Sequence, residues 1–123
     1  MKATRSAFLV LSLVFFAATA WSQTKATVIG EVIDIVSYSI SGTKASTPSG
    51  KEIVEASAKG GNPLGILEAK TGKVYLVTMK EPNTSANQSL LPFVGKKVAA
   101  VGVVYKKGGC QLLVMSVVGK SIK

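Results

Sequence analysis

The side chains that most often carry out catalysis are scarce in this sequence. It has no histidine, which removes the most frequent general base and the most frequent metal ligand. Glu31 and Asp34 stand three residues apart, and on a strand this spacing points them to opposite faces. They therefore do not form the paired carboxylates of a hydrolase. A complete phosphate-binding loop is absent as well. These observations predict a protein that is not an enzyme.

The only cysteine is Cys110, so no disulfide can form within the chain. A thiol in a strand behaves as a small hydrophobic side chain, which favours a buried Cys110. Because Cys110 directly follows a turn signal, an exposed thiol that links two copies is the alternative. No group of Cys, Asp or Glu has the spacing of metal ligands. We therefore expect neither a metal nor a cofactor.

Lysine is the abundant functional group of residues 23–123. This part has thirteen lysines, no arginine and six acids, a balance of +7. Such a charge favours an anionic ligand or an acidic protein as partner. A solvated surface is the alternative, since arginine is the residue that reads phosphates and bases with two-pronged geometry. The candidate binding residues in basic loops are Lys44, Lys51, Lys59, Lys106 and Lys107.

Three tyrosines offer a second kind of contact. Tyr75 and Tyr105 are candidates for the outer face of a barrel, where Lys73, Lys106 and Lys107 would be near, and Tyr38 follows the first strand. Exposed aromatic rings beside basic grooves stack on single-stranded nucleic acid. The alternative is that the rings pack at the rim with their hydroxyls in water. Nucleic acid is the less expected partner, given the missing arginine and the export signal described next.

Residues 1–22 have the pattern of a secretory signal peptide. Lys2 and Arg5 precede an apolar run over residues 7–20, and small residues suit cleavage after Ser22. The run of 14 residues is shorter than the roughly 20 of a spanning helix, which argues against an uncleaved anchor. We predict a signal peptide at 1–22, one domain at 23–123, a periplasmic or secreted location, and no integral membrane span after cleavage.

The remaining chain reads as short strands separated by turn signals. Residues 64–69 and 74–78 flank Lys-Thr-Gly-Lys, which predicts a hairpin. Residues 98–105 and 110–118 flank Lys-Lys-Gly-Gly, which predicts another. Residues 27–37 form a first strand with Gly30 as a bend. A polar, mobile loop is expected at 39–52, a helix at 53–59, a polar loop at 80–89, and one helical turn at 90–94 that plugs the barrel.

The order strand, hairpin, helical turn, hairpin predicts an all-β fold. It is typical of a five-stranded OB-like barrel with one or two short helical turns. The helical turn between the third and fourth strands favours this barrel over an SH3-like barrel or an open sandwich.

The run Ala-Lys-Gly-Gly-Asn-Pro-Leu-Gly-Ile-Leu at residues 58–67, with Val74-Tyr75 after it, carries a family resemblance. With Ser37-Tyr38 and residues 95–98, it resembles small exported bacterial OB-fold-like proteins of unknown function. Those relatives bear Cys and His residues. Their alignment with this chain places Ser37, Ile53 and Ser57 at Cys positions and Gly50 at a His position. The resemblance implies a shared scaffold in which any metal or cofactor site of the relatives is lost.

These observations predict a non-enzymatic exported β-barrel that binds an anionic ligand or partner. The alternative is a structural or accessory protein that binds another protein through a sheet edge or through the 39–52 loop.

Overall fold

The computed structural model describes residues 23–122, so the predicted signal peptide lies outside the described part of the chain. Two helices stand between the first and second strands, and one helix with a 3-10 turn stands between the third and fourth. The strands are β1 (Gln23–Asp34), β2 (Leu64–Glu68), β3 (Val74–Met79), β4 (Lys97–Lys107) and β5 (Cys110–Lys120). The helices are α1 (Ile35–Ser41), α2 (Pro48–Lys59) and α3 (Ala86–Leu90), and the 3-10 turn is Leu91–Phe93.

The strands close into a barrel in the order β1-β2-β3-β5-β4, with β4 returning to β1. All pairs are antiparallel except β3 with β5. The first strand serves both of its neighbours, because residues 23–31 pair with β4 while residues 30–34 pair with β2. The predicted five-stranded OB-like barrel is confirmed, and the closure excludes an open sandwich.

Glycines permit the close strand contacts on which this closure depends. A Cβ at Gly30 would lie 2.0 Å from the carbonyl oxygen of Leu67, so β1 crosses β2 too closely for any side chain there. A Cβ at Gly102 would lie 2.1 Å from the Val114 oxygen, and the β4–β5 register shifts at this glycine. Gly30 is required by the close approach of two backbones, and a bend at this position stays a prediction.

The two hairpin turns are those that the sequence predicts. Gly72 has a φ of 76° between β2 and β3. Gly108 and Gly109, with φ of 59° and 80°, connect β4 to β5. Two consecutive positive φ values are typical of a type I′ turn, whose twist matches that of the strands.

The barrel interior is filled by alternate residues of the strands and closed by the α3 segment. Val98, Ala100 and Val104 of β4 face inward, and Leu113 and Met115 meet them from β5. Leu90 is fully buried, and Leu91 and Phe93 pack on the same core, so the predicted plug is confirmed. Complete burial of an aliphatic side chain contributes about 1.5–3 kcal/mol.

The region after β1 differs from the prediction. The strand ends at Asp34, not at residue 37, because Asp34 caps α1 by accepting a hydrogen bond from the Ser37 backbone N–H at 3.1 Å. Gly42, with a φ of 71°, ends the helix and donates its N–H to the Tyr38 carbonyl at 2.8 Å. The expected strand residues 35–37 are therefore helical.

The predicted loop at 39–52 is also wrong in most of its length. Thr47 accepts a hydrogen bond from the Gly50 N–H at 3.1 Å and Pro48 occupies the first turn, so α2 starts at Pro48. The helix predicted at residues 53–59 is its second part. Only residues 42–47 remain as a connection, and we call them the α1–α2 loop.

A single side chain joins α3 to the entry of the first hairpin. The Asn87 Oδ1 accepts from the Leu64 N–H at 2.9 Å, and its Nδ2 donates to the Asn62 carbonyl at 2.7 Å and to the Ala58 carbonyl at 3.3 Å. Residues 86–89, predicted as loop, are helical because Ser85 caps α3 by accepting from the Asn87 N–H.

Candidate functional site

A cleft of about 450 Å³ opens between the barrel wall and the α1–α2 loop. Four separate segments form it: β1 around Gly30, the end of β2 with the following turn, α1 with the α1–α2 loop, and residues 95–97. This volume lies in the range of small-molecule sites. We call it the barrel cleft.

The floor of the barrel cleft contains Glu31. In the sheet register Glu31 lies between Leu67 of β2 and Lys97 of β4, so these three side chains share one face of the barrel. The Oε1 atom of Glu31 is buried and has no hydrogen-bond partner among the described residues. Lys97 opposite Glu31 places a positive charge beside this carboxylate.

The wall opposite the barrel is built by Tyr38 and the α1–α2 loop. Tyr38 is half-buried, while Lys44 is exposed beside the buried Ala45. The loop lies directly on the first turn of α2: a Cβ at Gly50 would come within 1.9 Å of the Lys44 carbonyl oxygen. Glycine at position 50 thus permits the loop course that brings Lys44 to the cleft. Any side chain at position 50 would require a different course of this loop.

The rim of the barrel cleft is cationic. Lys44 comes from the loop, and Lys96 and Lys97 come from the segment that enters β4. Lys51 stands beside them, because its Cδ and Cε lie 3.2 Å from the position of a Cβ on Gly95. Lys51 also forms an ion pair with Glu55 at 3.2 Å, which offsets its charge.

Glu68 is the second acid of the cleft, and it already has a partner. Its Oε1 accepts a hydrogen bond from the Thr71 hydroxyl, and its charge acts on the nearby Tyr75 phenol. Burial, and after it the nearby Glu68 carboxylate, raise the pKa of Tyr75 above 10.0. Glu68 is therefore held in place by the hairpin, whereas Glu31 Oε1 is buried without a hydrogen-bond partner among the described residues.

The predicted site residues separate into groups. Tyr38 and Lys44 line the barrel cleft, and Lys51 borders it. Lys73 follows Gly72 on the hairpin and is exposed without lining the cleft, and Lys59 is exposed at the end of α2. The structure thus brings together three of the nine.

Tyr75 is not on the outer face. It is 6% exposed and belongs to the core, so the predicted stacking role is wrong for this ring. Residues 66 and 75 are register partners, and the inward position of Ile66 carries Tyr75 inside with it.

Tyr105, Lys106 and Lys107 lie at the far end of β4. Tyr105 is eight residues along the strand from Lys97, a separation of about 26 Å at the rise of a β-strand. These three residues do not contribute to the barrel cleft.

Three cleft residues were missed as binding candidates: Glu31, Lys96 and Lys97. Glu31 follows Gly30, which permits the close strand contact, and the two lysines follow the plug and Gly95. A charged residue next to such a glycine could have indicated a candidate site residue. The sequence does not show which residues would be its neighbours, because barrel closure brings them together.

Cys110 is exposed, so the prediction of a buried thiol is wrong. It pairs with Lys107 next to the two-glycine turn, where the strand has already left the barrel wall. Within residues 23–122, no group of three or more His, Cys, Asp or Glu side chains is arranged to hold a metal ion. A second cavity, between the end of α2 and α3, is lined without a charged residue.

Comparisons with protein-family models, curated proteins and solved structures each find no match to this chain. The resemblance to small exported bacterial proteins therefore stays a prediction. None of the helices in the described part combines the length and apolar character needed to cross a bilayer.

Proposed function

We propose that this protein is a non-enzymatic, exported binding module that holds a small anionic ligand in the barrel cleft. One observation carries the proposal: three lysines from two separate chain segments, Lys44, Lys96 and Lys97, line one cleft of about 450 Å³. Convergent charges on a preformed concavity distinguish a ligand site from a scattered solvated surface. The pattern of residues 1–22 supports export.

The structure supports a binding role through the distribution of its reactive groups. The exposed thiol of Cys110 lies at the β4–β5 turn, away from the cleft. Glu68 accepts a hydrogen bond from the Thr71 hydroxyl. The cleft thus presents cationic rim side chains and one phenol, a set that suits recognition of an anionic ligand.

The test is a titration of the protein with inorganic phosphate, followed by amide NMR at low salt and at about 0.15 M salt. Saturable shifts confined to residues 44–46 and 95–97, weaker at higher salt, support the proposal. Lys44→Ala and Lys96→Ala should each weaken binding roughly fivefold. Lys106→Ala with Lys107→Ala is the matched control, because it removes two charges from the far end of β4.

Two results would contradict the proposal. Shifts that do not saturate would indicate a diffuse ionic atmosphere. If Lys106→Ala with Lys107→Ala weakens phosphate binding as much as the cleft variants do, the binding site is at the β4–β5 hairpin and not in the barrel cleft.

A second candidate function rests on the β5 edge. The β3 partner of β5 stops at Met115, so among the described residues 117–120 pair only with β4, and Ser116 is the extra residue at the register shift. Val117 in this stretch is 57% exposed. An extended segment of another protein could add to such an edge, as in a structural or accessory protein.

Hydrogen exchange tests this alternative in the presence of proteins that co-purify with the chain. New protection at residues 116–120 supports edge pairing. Protection confined to the α1–α2 loop, or none, excludes it.

A further inference from the structure

We infer that this protein forms a reversible homodimer, in which one outer side of the barrel packs against the same side of a second copy. The contact surface consists of the outward side chains of β4 and β5, which we call the outer apolar face: Val101, Val103, Tyr105, Leu112, Val114 and Val117. This surface is distinct from the barrel cleft, and dimerisation through it does not require an anionic ligand.

The sheet register determines which side chains of β4 and β5 point outward. Ala100 of β4 and Leu113 of β5 are buried in the core. Because successive side chains of a strand alternate between the two faces, the residues next to these point away from the core. The register shifts at Ser116, so Val117 pairs with Val101 and its side chain also lies on the outer side.

The outer apolar face is accessible in the monomer. The described helices make their main contacts with β1, β2 and β3. Val117, at one end of the face, is 57% exposed, and Ile29 beside the face on β1 is 37% exposed. The other members of the face are half-buried. A solvated sheet face normally carries polar side chains, so a row of aliphatic and aromatic side chains indicates a surface that packs against another one.

The charge distribution favours a second copy as the partner. Residues 98–105 and 112–119 contain none of the nineteen charged side chains of residues 23–123. An acidic partner would be held by lysines, and the lysines lie elsewhere on the barrel. In a twofold dimer the same patch meets itself, so charges of one sign would repel, whereas an uncharged patch packs without this cost.

The size of the outer apolar face suits a weak dimer. Residues 99–105 span about 20 Å along β4, and β4 and β5 with their flanking strands β1 and β3 are about 19 Å wide. Two such faces with interdigitating side chains bury on the order of 1,000 Å², the lower limit of a specific interface. We therefore expect a Kd between about 10 µM and 1 mM.

Sedimentation velocity of the protein with Cys110→Ser tests the dimer without a contribution from a disulfide. At about 0.15 M salt, the sedimentation coefficient should rise as the protein concentration increases from about 10 µM to about 1 mM. Amide NMR of the same dilution series locates the contact. The shifts that change with concentration should belong to residues 99–105 and 112–117.

Val117→Lys should weaken dimerisation at least tenfold, because each copy would then place an ammonium group against an apolar surface. Val101→Lys, nearer the centre of the face, should have at least the same effect. A dispersed amide spectrum verifies that each variant folds. Ile53→Lys is the matched control, since it places the same charge at an aliphatic side chain of similar exposure, 47%, on α2. It should leave the Kd unchanged.

A protein that stays monomeric at about 1 mM would overturn the dimer and leave the outer apolar face to a different protein. Equal weakening by Val117→Lys and Ile53→Lys would also overturn it, because added charge alone would explain the loss. Concentration-dependent shifts confined to residues 118–120 would assign the contact to the β5 edge and overturn the face-to-face arrangement. Val117→Lys should bind phosphate as the wild type does, so the dimer and the proposed function can fail independently.

Discussion

Gly30 and Leu67 lie so close across the β1–β2 pair that a Cβ at position 30 would be 2.0 Å from the Leu67 carbonyl oxygen. The atom that would collide belongs to the backbone and cannot rotate away. This contact fixes the crossing of two strands that both line the barrel cleft. It therefore links barrel closure to the shape of the site.

Gly30→Ala should lower the free energy of unfolding by more than about 2 kcal/mol, because β1 and β2 must separate to admit the methyl group. Urea unfolding followed by circular dichroism measures the change. Gly119→Ala is the control: no heavy atom lies within 4 Å of a Cβ there, so the change should stay within about 0.5 kcal/mol. Equal urea midpoints for Gly30→Ala and Gly119→Ala would contradict the close contact between β1 and β2 at Gly30.

Asn87→Ala should destabilise the protein by about 2–4 kcal/mol, because three hydrogen bonds to backbone groups are lost, one of them to Leu64. Asn87→Asp should also destabilise the protein: it keeps the acceptor for the Leu64 N–H but places a carboxylate oxygen against the Asn62 and Ala58 carbonyls. Thermal and urea unfolding provide the comparison. The exposed neighbour Gln88→Ala is the control, and an Asn87→Ala variant as stable as Gln88→Ala would rule out this role.

The alkaline limit of stability should depend on Tyr75. Its folded-state pKa is raised above 10.0, so the folded chain holds this proton more tightly than the unfolded chain. The contribution is fully present below pH 10 and is lost as the pH rises through the folded pKa. Between pH 8 and pH 11, the free energy of unfolding of the wild type should therefore fall more steeply with rising pH than that of Tyr75→Phe. Parallel curves would exclude a shifted tyrosine.

Cys110 should react with a thiol reagent in the native state at a rate close to that of a free thiol, because its side chain is exposed. Under oxidising conditions a disulfide-linked dimer should form on non-reducing electrophoresis. Cys110→Ser should show neither reaction nor dimer. A rate limited by global unfolding would instead indicate a protected thiol.

The strands and turns could be predicted because their signals are local. The pairs Gly108-Gly109 and Thr71-Gly72 fix the hairpins by backbone chemistry, and runs of β-branched residues flank them. Helix α1 could not be predicted in this way. Ile35 and Val36 favour a strand, but the Asp34 cap and Gly42 enclose one short helix and prevail over that propensity.

The candidate site could be predicted only in part. Tyr38 and Lys44 were identified because a basic loop follows the first strand. Lys96 and Glu31 are 65 residues apart in the chain and become neighbours only when β4 closes on β1. Tyr75 was misplaced because period-two alternation does not say which face of a hairpin is inside.

The pairing of β1 with β4 also determines when the barrel can fold. Residues 23–31 find their partners at residues 97–105, so the first strand made on the ribosome waits for most of the chain to emerge. Topologies with such distant pairing have high contact order and fold in milliseconds to seconds. During that interval the edge of β1 is open to other chains. A nascent chain that ends before residue 97 therefore has the first strand without its closing partner, and we expect it to depend on chaperones until β4 has been synthesised.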